Sequence, residues 1–225
     1  MTNKKATPKF SKASKMPSRS WSLEALDTCP GSIDPQTKDL VTACKGCYAT
    51  TGNYRFPNVK APRIHNKEDW KLETWVPVMV AELDNDRYFR WFDSGDVYDH
   101  RLAAKILEVM KLTPHCNHWL PTRMHKFPKF KKILQKMKKL PNVSVRYSSD
   151  SIEGKALKIH GSTIAHVDKL ENQKGTICSA YINDGKCGTC RACWSKDVAL
   201  IVYPQHGKKM EKVNRESLIQ LTQVA

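Results

Sequence analysis

The sequence predicts an α/β fold in which about six mostly parallel strands form a partial (β/α) barrel. Three observations support this fold class. Strand-like runs alternate with helices of apolar periodicity between residues 88 and 147, and a polar cluster follows each of these strands. A cysteine-rich segment near the C-terminus precedes one further strand-like run. Six strands are too few to close an eight-stranded barrel.

The first elements precede these repeating units. Residues 20–28 predict a first strand because apolar and polar residues alternate. Residues 50–66, rich in Gly, Asn, Pro and basic residues, predict a surface loop. Residues 67–84 have apolar residues at helical spacing, with Pro77 marking a kink or a boundary.

Serial strand and helix units then fix the architecture. Strands are predicted at residues 88–92, 118–120 and 142–147, and later at 163–167 and 198–203. Asp99 predicts the N-cap of the first intervening helix, which ends before Pro114. A second amphipathic helix separates the next two strands, and a helix ends the chain. Strands joined by helices of this length are expected to be parallel, with right-handed crossovers.

Polar clusters follow three of these strands directly. They comprise Ser94, Gly95, Asp96, Thr122, Arg123, Ser148, Ser149 and Asp150. A single cluster of this kind is often only a polar loop. Three at the carboxyl ends of parallel strands favour a functional site, because α/β sheets and βα barrels build their sites there.

Four cysteines near the C-terminus predict a metal centre. Cys178, Cys187, Cys190 and Cys193 have the spacing C-x8-C-x2-C-x2-C. Four thiolates complete the ligand set of an iron–sulfur cluster, which this single run favours. Zinc remains the alternative, although its sites usually combine two separated C-x2-C pairs.

A second set, Cys29, Cys44 and Cys47, has the spacing C-x14-C-x2-C. These three are candidate metal ligands. The alternative is a lone buried thiol at Cys29, with Cys44 and Cys47 contributing to a zinc site. Cys116, the eighth cysteine, is expected to be a buried thiol.

Composition bears on partners and location. The formal net charge of +16 favours an anionic partner such as nucleic acid, and the lysine-rich second βα helix could contribute, although such a face is usually just solvated. No apolar run approaches the ~20 residues of a membrane span, and the N-terminus lacks a signal-peptide pattern. We therefore expect a cytoplasmic protein without a membrane partner, in which clustered cysteines are metal ligands rather than disulfides.

The chain is expected to divide into three parts. Residues 1–19 predict a flexible basic tail, and residues 20–170 predict the βα partial-barrel core. Residues 171–225 would form a cysteine-rich, cluster-binding segment that adds the final strand and helix and packs on the core.

Four stretches resemble the phage gene product eighty-eight family over roughly residues 20–200. They are CKGCYATTGNYRFPNV, RWFDSGDVYD, NHWLPTRMHKFP and VRYSSDS. The order of features also resembles the radical S-adenosylmethionine superfamily: a first strand, a three-cysteine loop ending in C-x2-C-Y-A, a Gly/Asp motif after the second strand, and serial βα units. The resemblance to the superfamily implies a radical SAM-like partial barrel. The resemblance to the phage family implies phage origin, hence the host-cell cytoplasm.

The superfamily resemblance also implies a chemistry. Three cysteines, Cys29, Cys44 and Cys47, would hold a [4Fe-4S] cluster whose fourth iron binds S-adenosylmethionine. Residues 94–96 would match the glycine-rich motif that holds the methionine amino group, and Tyr48 would pack on the adenine. Asp96 and Arg123 become candidate catalytic residues, and the cofactor-binding set is Tyr48, Ser94, Gly95, Asp96, Arg146, Ser148 and Ser149.

The sequence departs from the superfamily pattern at three points. The first two cysteines are separated by fourteen residues instead of three, Gly46 replaces an aromatic residue, and Asp96 replaces a glutamate.

Three functions follow as expectations. The first is reductive cleavage of S-adenosylmethionine by a protein with one or two [4Fe-4S] clusters. The second is a non-catalytic iron–sulfur redox or structural protein; either redox function would require an electron donor. The third is a zinc-stabilised nucleic-acid-binding protein.

Overall fold

One mixed sheet organises the chain in the computed structural model, which describes residues 4–155, 157 and 160–223. The described strands are β1 (Phe10–Ser11), β2 (Arg19–Trp21), β3 (Tyr88–Trp91), β4 (Asn117–Thr122), β5 (Val143–Ser148), β6 (Gly161–Ala165), β7 (Thr176–Ile177) and β8 (Leu200–Pro204). Their order in the sheet is β1-β2-β3-β4-β5-β6-β8-β7. Only the β1–β2 pairing is antiparallel among the described strands.

Six helices accompany the sheet in the described residues. They are α1 (Thr42–Lys45), α2 (Pro57–Asp69), α3 (Trp75–Glu82), α4 (His100–Leu112), α5 (Pro128–Lys139) and α6 (Lys208–Gln223). The Asp99 carboxylate caps α4 as predicted, accepting the Arg101 N–H at 2.7 Å. α4 ends before Pro114, and α5 begins at Pro128, a position that needs no N–H.

The predicted mostly parallel α/β arrangement is confirmed. The six predicted strands correspond to β2, β3, β4, β5, β6 and β8. The strand count was too low because β1 and β7 have two residues each, too few for an alternating pattern. The first strand is also shorter than expected: β2 ends at Trp21, and Leu26, within the predicted span, has a left-handed φ of 68°.

The prediction for residues 50–84 was wrong. Most of the expected loop is α2, and the single expected helix is interrupted between α2 and α3. The buried face of α2 consists of Arg63, Asn66 and Asp69, so an apolar periodicity could not reveal this helix. Pro77 lies in the first turn of α3, where proline is tolerated, so it marks a helix boundary, one of the two alternatives predicted for it.

The main core lies between the sheet and helices α3, α4 and α5. Strand alternation places Phe89 and Trp91 on this face of β3, and both are fully buried. The Trp21 ring meets the rings of Trp75 and Trp91 edge to face, with centroids 5.4 and 6.2 Å apart. The apolar faces of α4 and α5 complete this layer.

The opposite face of the sheet is covered by segments from both ends of the chain. Trp119 on β4 packs with Met16 and Trp194 in a separate apolar cluster.

The described part of the predicted basic tail, residues 4–19, contacts the core: the Thr7 N–H donates to the Asp69 carboxylate at 2.8 Å. β1 belongs to the same segment, and Met16 is buried. The first three residues of that predicted tail lie outside the described residues.

The sheet is open. Its edge strands in the described part of the chain are β1 and β7, which do not pair with each other. Helices α3, α4 and α5 lie on one face, so the other face is free to form the wall of a cavity. Among the described residues, no helix has the length and hydropathy needed to cross a bilayer.

Candidate functional site

A cavity of about 500 Å³ lies at the carboxyl ends of the parallel strands, on the face opposite helices α3, α4 and α5. Its wall on the sheet comes from five strands. The residues that these strands contribute are Arg90, Trp119, Pro121, Thr122, Ser148, Ser162, Thr163, Ile164, Tyr203 and Pro204. Residues from all three polar clusters predicted at this end of the sheet line the same cavity. A cavity of this size can hold a cofactor or a small substrate.

The first cysteine set lies on one side of this cavity. Cys29, Cys44 and Cys47 all line it. The Cys29 carbonyl accepts the Ser32 N–H at 2.9 Å, and the Cys47 N–H donates to the Cys44 carbonyl at 3.1 Å, so short local turns position all three. The structure thus brings these predicted ligands together.

Burial favours the protonated thiols of Cys29 and Cys44. Desolvation raises the pKa of the Cys29 thiol to about 12, and the charges of Asp96, Cys44 and Cys47 add to the rise. Burial also raises the pKa of Cys44, opposed by the charge of Arg123. Metal binding would therefore have to displace these protons.

The second cysteine set lies on another side of the same cavity. Cys178, Cys187 and Cys193 line it, whereas Cys190 is exposed and lies outside the lining. The Cys178 N–H donates to the Val202 carbonyl of β8 at 2.8 Å. Burial raises the pKa of Cys193 to about 11, and its Sγ lies 3.3 Å from the Tyr203 hydroxyl.

Arg146 lies beside the cavity and anchors the second set. From β5 its guanidinium donates to four backbone carbonyls of residues 192–198. The acceptors are Ala192 at 2.7 Å, Cys193 at 2.9 Å, Ser195 at 2.7 Å and Val198 at 2.8 Å. Arg146 was expected among the cofactor-binding residues, and the structure places it outside the cavity lining, with these donors directed to the backbone.

Asp96 joins the ends of two neighbouring strands. Its carboxylate accepts the Thr122 hydroxyl at 2.7 Å, the Val97 N–H at 2.7 Å and the Arg123 N–H at 2.8 Å. Burial raises its pKa, and these hydrogen bonds oppose the rise. This candidate catalytic residue lines the cavity, but most of its hydrogen-bonding capacity is used by the protein.

Gly95 shapes the loop that presents Cys29. Its φ of +78° favours glycine, and a Cβ there would lie 2.7 Å from both the Leu23 Cβ and the Thr28 Oγ1. The following Asp96 N–H donates to the Thr28 carbonyl at 3.1 Å. The Gly/Asp motif therefore fixes the chain immediately before the first cysteine.

A buried ion pair supports the same motif and was missed from the sequence. Arg63 on α2 donates to Asp93 at 2.9 Å, with both side chains at most 6% exposed. The Arg63 Nε also donates at 2.7 Å to the Ser94 hydroxyl, which donates to the Leu23 carbonyl at 2.7 Å. Arg63 and Ser94 are therefore both held by partners within the protein.

The remaining predicted residues also lie at the cavity. Arg123 contacts Asp150 at 3.2 Å and the Ser149 carbonyl at 2.9 Å. The Tyr48 hydroxyl donates to the Asp93 carbonyl at 2.6 Å, and Ser148 and Ser149 belong to the lining. The sequence analysis did not predict three cavity residues, Arg90, Trp119 and Tyr203. The available signal was Arg90 itself, a charged residue in the otherwise apolar strand β3.

Cys116 is fully buried in the main core, as expected for a structural thiol. Within the described residues, no three His, Cys, Asp or Glu side chains converge closely enough to hold a single metal ion. Six of the eight cysteines instead line one cavity. All eight are free thiols.

The fold and site define an open-sheet α/β protein with a cysteine-lined cavity at the carboxyl ends of its strands. The model of the Gene product 88 family matches residues 1–216, so the chain belongs to this family. Neither the curated proteins nor the solved structures give a match to the chain.

Proposed function

We propose that this protein is an iron–sulfur protein in which Cys29, Cys44 and Cys47 hold a [4Fe-4S] cluster. The observation that carries the proposal is that six of the seven predicted ligand cysteines line one cavity. The donor set fits such a cluster because it consists of cysteine sulfur atoms, with Cys44 buried and Cys29 and Cys47 half-buried. A cluster also takes its thiolates on separate irons, so its ligands surround a volume instead of meeting at a point.

We further propose that the cavity binds S-adenosylmethionine beside this cluster, within a radical SAM-like partial barrel. A bound cluster with one iron free of cysteine would supply the electron for reductive cleavage of the cofactor. The protein would supply the walls of the cavity that encloses the cofactor. Tyr48, Gly95 and Ser148 line the cavity, and Asp96 positions Arg123 through its backbone N–H.

The second set would hold an auxiliary centre. Cys178, Cys187 and Cys193 already lie at the cavity, and Cys190 would have to turn toward it. Gly185 and Gly188, both with left-handed φ, give the intervening loop the freedom for such a movement.

One observation favours a second candidate, a non-catalytic iron–sulfur redox protein. Ser94 and Asp96, expected to contact the cofactor, are hydrogen-bonded within the protein. A site whose polar groups are already satisfied gains less from a ligand. Such a protein would need an electron donor but no S-adenosylmethionine.

Anaerobic purification with iron, sulfide and zinc measured together tests the proposal. We expect about four to eight irons per chain with matching sulfide. Stoichiometric zinc without acid-labile sulfide would refute it and favour the zinc-stabilised, nucleic-acid-binding alternative.

Spectroscopy separates the two iron–sulfur candidates. In the dithionite-reduced protein, S-adenosylmethionine should change the electron paramagnetic resonance signal and yield 5′-deoxyadenosine. The change should be lost in Cys47→Ala and retained in Cys116→Ala, the matched control, whose thiol lies in the main core and outside the cavity lining. A reduced cluster that ignores S-adenosylmethionine would favour the non-catalytic candidate.

A further inference from the structure

Arg90 is a cation at the cavity wall that the proposed function does not use. It lies on β3, on the cavity side of the sheet. Its guanidinium lies 4.4 Å from the centroid of the Trp119 ring. Its Nη1 lies 3.4 Å from the Met16 sulfur, and its Nη2 lies 3.4 Å from the Tyr48 hydroxyl. The contact with the Tyr48 hydroxyl is long, the thioether is a weak acceptor, and neither acceptor is an anion.

The charge of Arg90 has no carboxylate partner among the described residues. No described Asp or Glu oxygen lies within 4.0 Å of its nitrogens. The Arg90 Nε is buried without a hydrogen-bond partner, and Asp93 is held by Arg63. Arg90 is half-buried, and a guanidinium that is partly removed from water gains from pairing with an anion.

Arg90 also lies between the two cysteine sets. On one side it contacts Tyr48, which directly follows Cys47. On the other side its charge acts on Cys187, Cys193 and Tyr203. A ligand group bound to Arg90 would therefore be placed near both sets.

We infer that the cavity binds its substrate through an anionic group, a carboxylate or a phosphate, that pairs with Arg90 above Trp119. The planar guanidinium can bind either group through two parallel hydrogen bonds. The inference rests on the proposed function only in calling this ligand the substrate.

Calorimetric titration of the full, anaerobically prepared chain with inorganic phosphate and with acetate tests this site. We expect one equivalent of at least one probe to bind. Arg90→Gln should weaken binding about 10- to 100-fold. Arg90→Lys should have an intermediate affinity, because lysine keeps the positive charge but cannot form the two parallel hydrogen bonds of a guanidinium. The tighter probe identifies the group as phosphate or carboxylate.

Arg101→Gln is the matched control. The Arg101 guanidinium also lies over a tryptophan, 5.9 Å from the Trp70 ring centroid, but its side chain is 78% exposed and pairs with Asp99. This variant should bind the probes as the wild type does.

Two results would overturn the inference: unchanged affinity in Arg90→Gln, or no saturable binding of either probe by the wild type. If Arg90→Gln does not fold, unchanged affinity in Arg90→Lys has the same meaning. Iron is measured on the same samples. Iron-free protein with Arg90-dependent binding would refute only the proposed function, and iron-loaded protein without binding would refute only this inference.

Discussion

Lowering the pH from 7 to 5 should destabilise the protein through His118. This histidine is fully buried on β4. Its Nδ1 accepts the indole N–H of Trp91 at 3.2 Å, so Nδ1 carries no proton. The Thr113 hydroxyl donates to the Val109 carbonyl at 2.7 Å and accepts from the His118 Nε2 at 2.9 Å. All of these hydrogen bonds form when the imidazole ring is neutral. A second proton would sit on Nδ1 and point at the indole N–H of Trp91, so that hydrogen bond would be lost.

The magnitude follows from the difference in pKa between the folded and unfolded chain. Burial lowers the pKa of His118 to about 3, against about 6.5 when unfolded. Because the folded pKa is the lower one, the stabilisation is present above pH 6.5 and is lost as the pH falls toward 3. Between pH 7 and pH 5 the free energy of unfolding should fall by about 2 kcal/mol from this residue.

Urea unfolding at both pH values, with matched metal content, measures the effect. His118→Gln removes the titrating group. Between pH 7 and pH 5 the free energy of unfolding of this variant should therefore decrease less than that of the wild type, by about 2 kcal/mol. His100→Gln, at an exposed position on α4, should keep the wild-type pH dependence. Equal pH dependence in the wild type and His118→Gln would refute the reasoning.

Two further predictions concern the second cysteine set and the basic surface. Cys193→Ser should lower iron content by one centre and reduce thermal stability, because its loop folds around the metal; Cys116→Ala should leave iron content unchanged. Metal analysis decides this, and the opposite pattern would show the ligand assignment to be wrong. The exposed lysines of α5 should bind nucleic acid without sequence preference, and Lys131→Gln/Lys132→Gln should reduce the salt dependence of affinity in anisotropy titrations. Binding that is absent at low salt would leave this surface without that role.

The sequence was informative where apolar periodicity and packing agree. The α4 stripe is fully buried at Leu102, Ala103 and Ile106, and alternation in β3 separates its core face from its cavity face. It was uninformative for α2, because that helix buries Arg63, Asn66 and Asp69 in polar contacts with other segments. Such contacts depend on tertiary neighbours that no local pattern encodes.

The candidate site was likewise predictable from the sequence only in part. Cysteine spacing predicted two sets of candidate ligands, and polar residues after the strands predicted the end of the sheet at which the cavity lies. That both sets face one cavity depends on the order β6-β8-β7, which brings residues 178–193 back toward Cys29. Arg90 was missed because a single arginine in a strand does not show whether a carboxylate will lie beside it.

The Arg146 contacts also order the assembly of the protein in time. β5 leaves the ribosome before residues 192–198, so this guanidinium stays hydrated until its four carbonyl acceptors arrive. The cavity can then close only when almost the whole chain has been made. A chain released before residue 192 would keep an exposed charge on β5 and an unfinished cavity wall, features that mark incomplete products for degradation. The arginine thus makes completion of this part of the protein conditional on a nearly finished polypeptide.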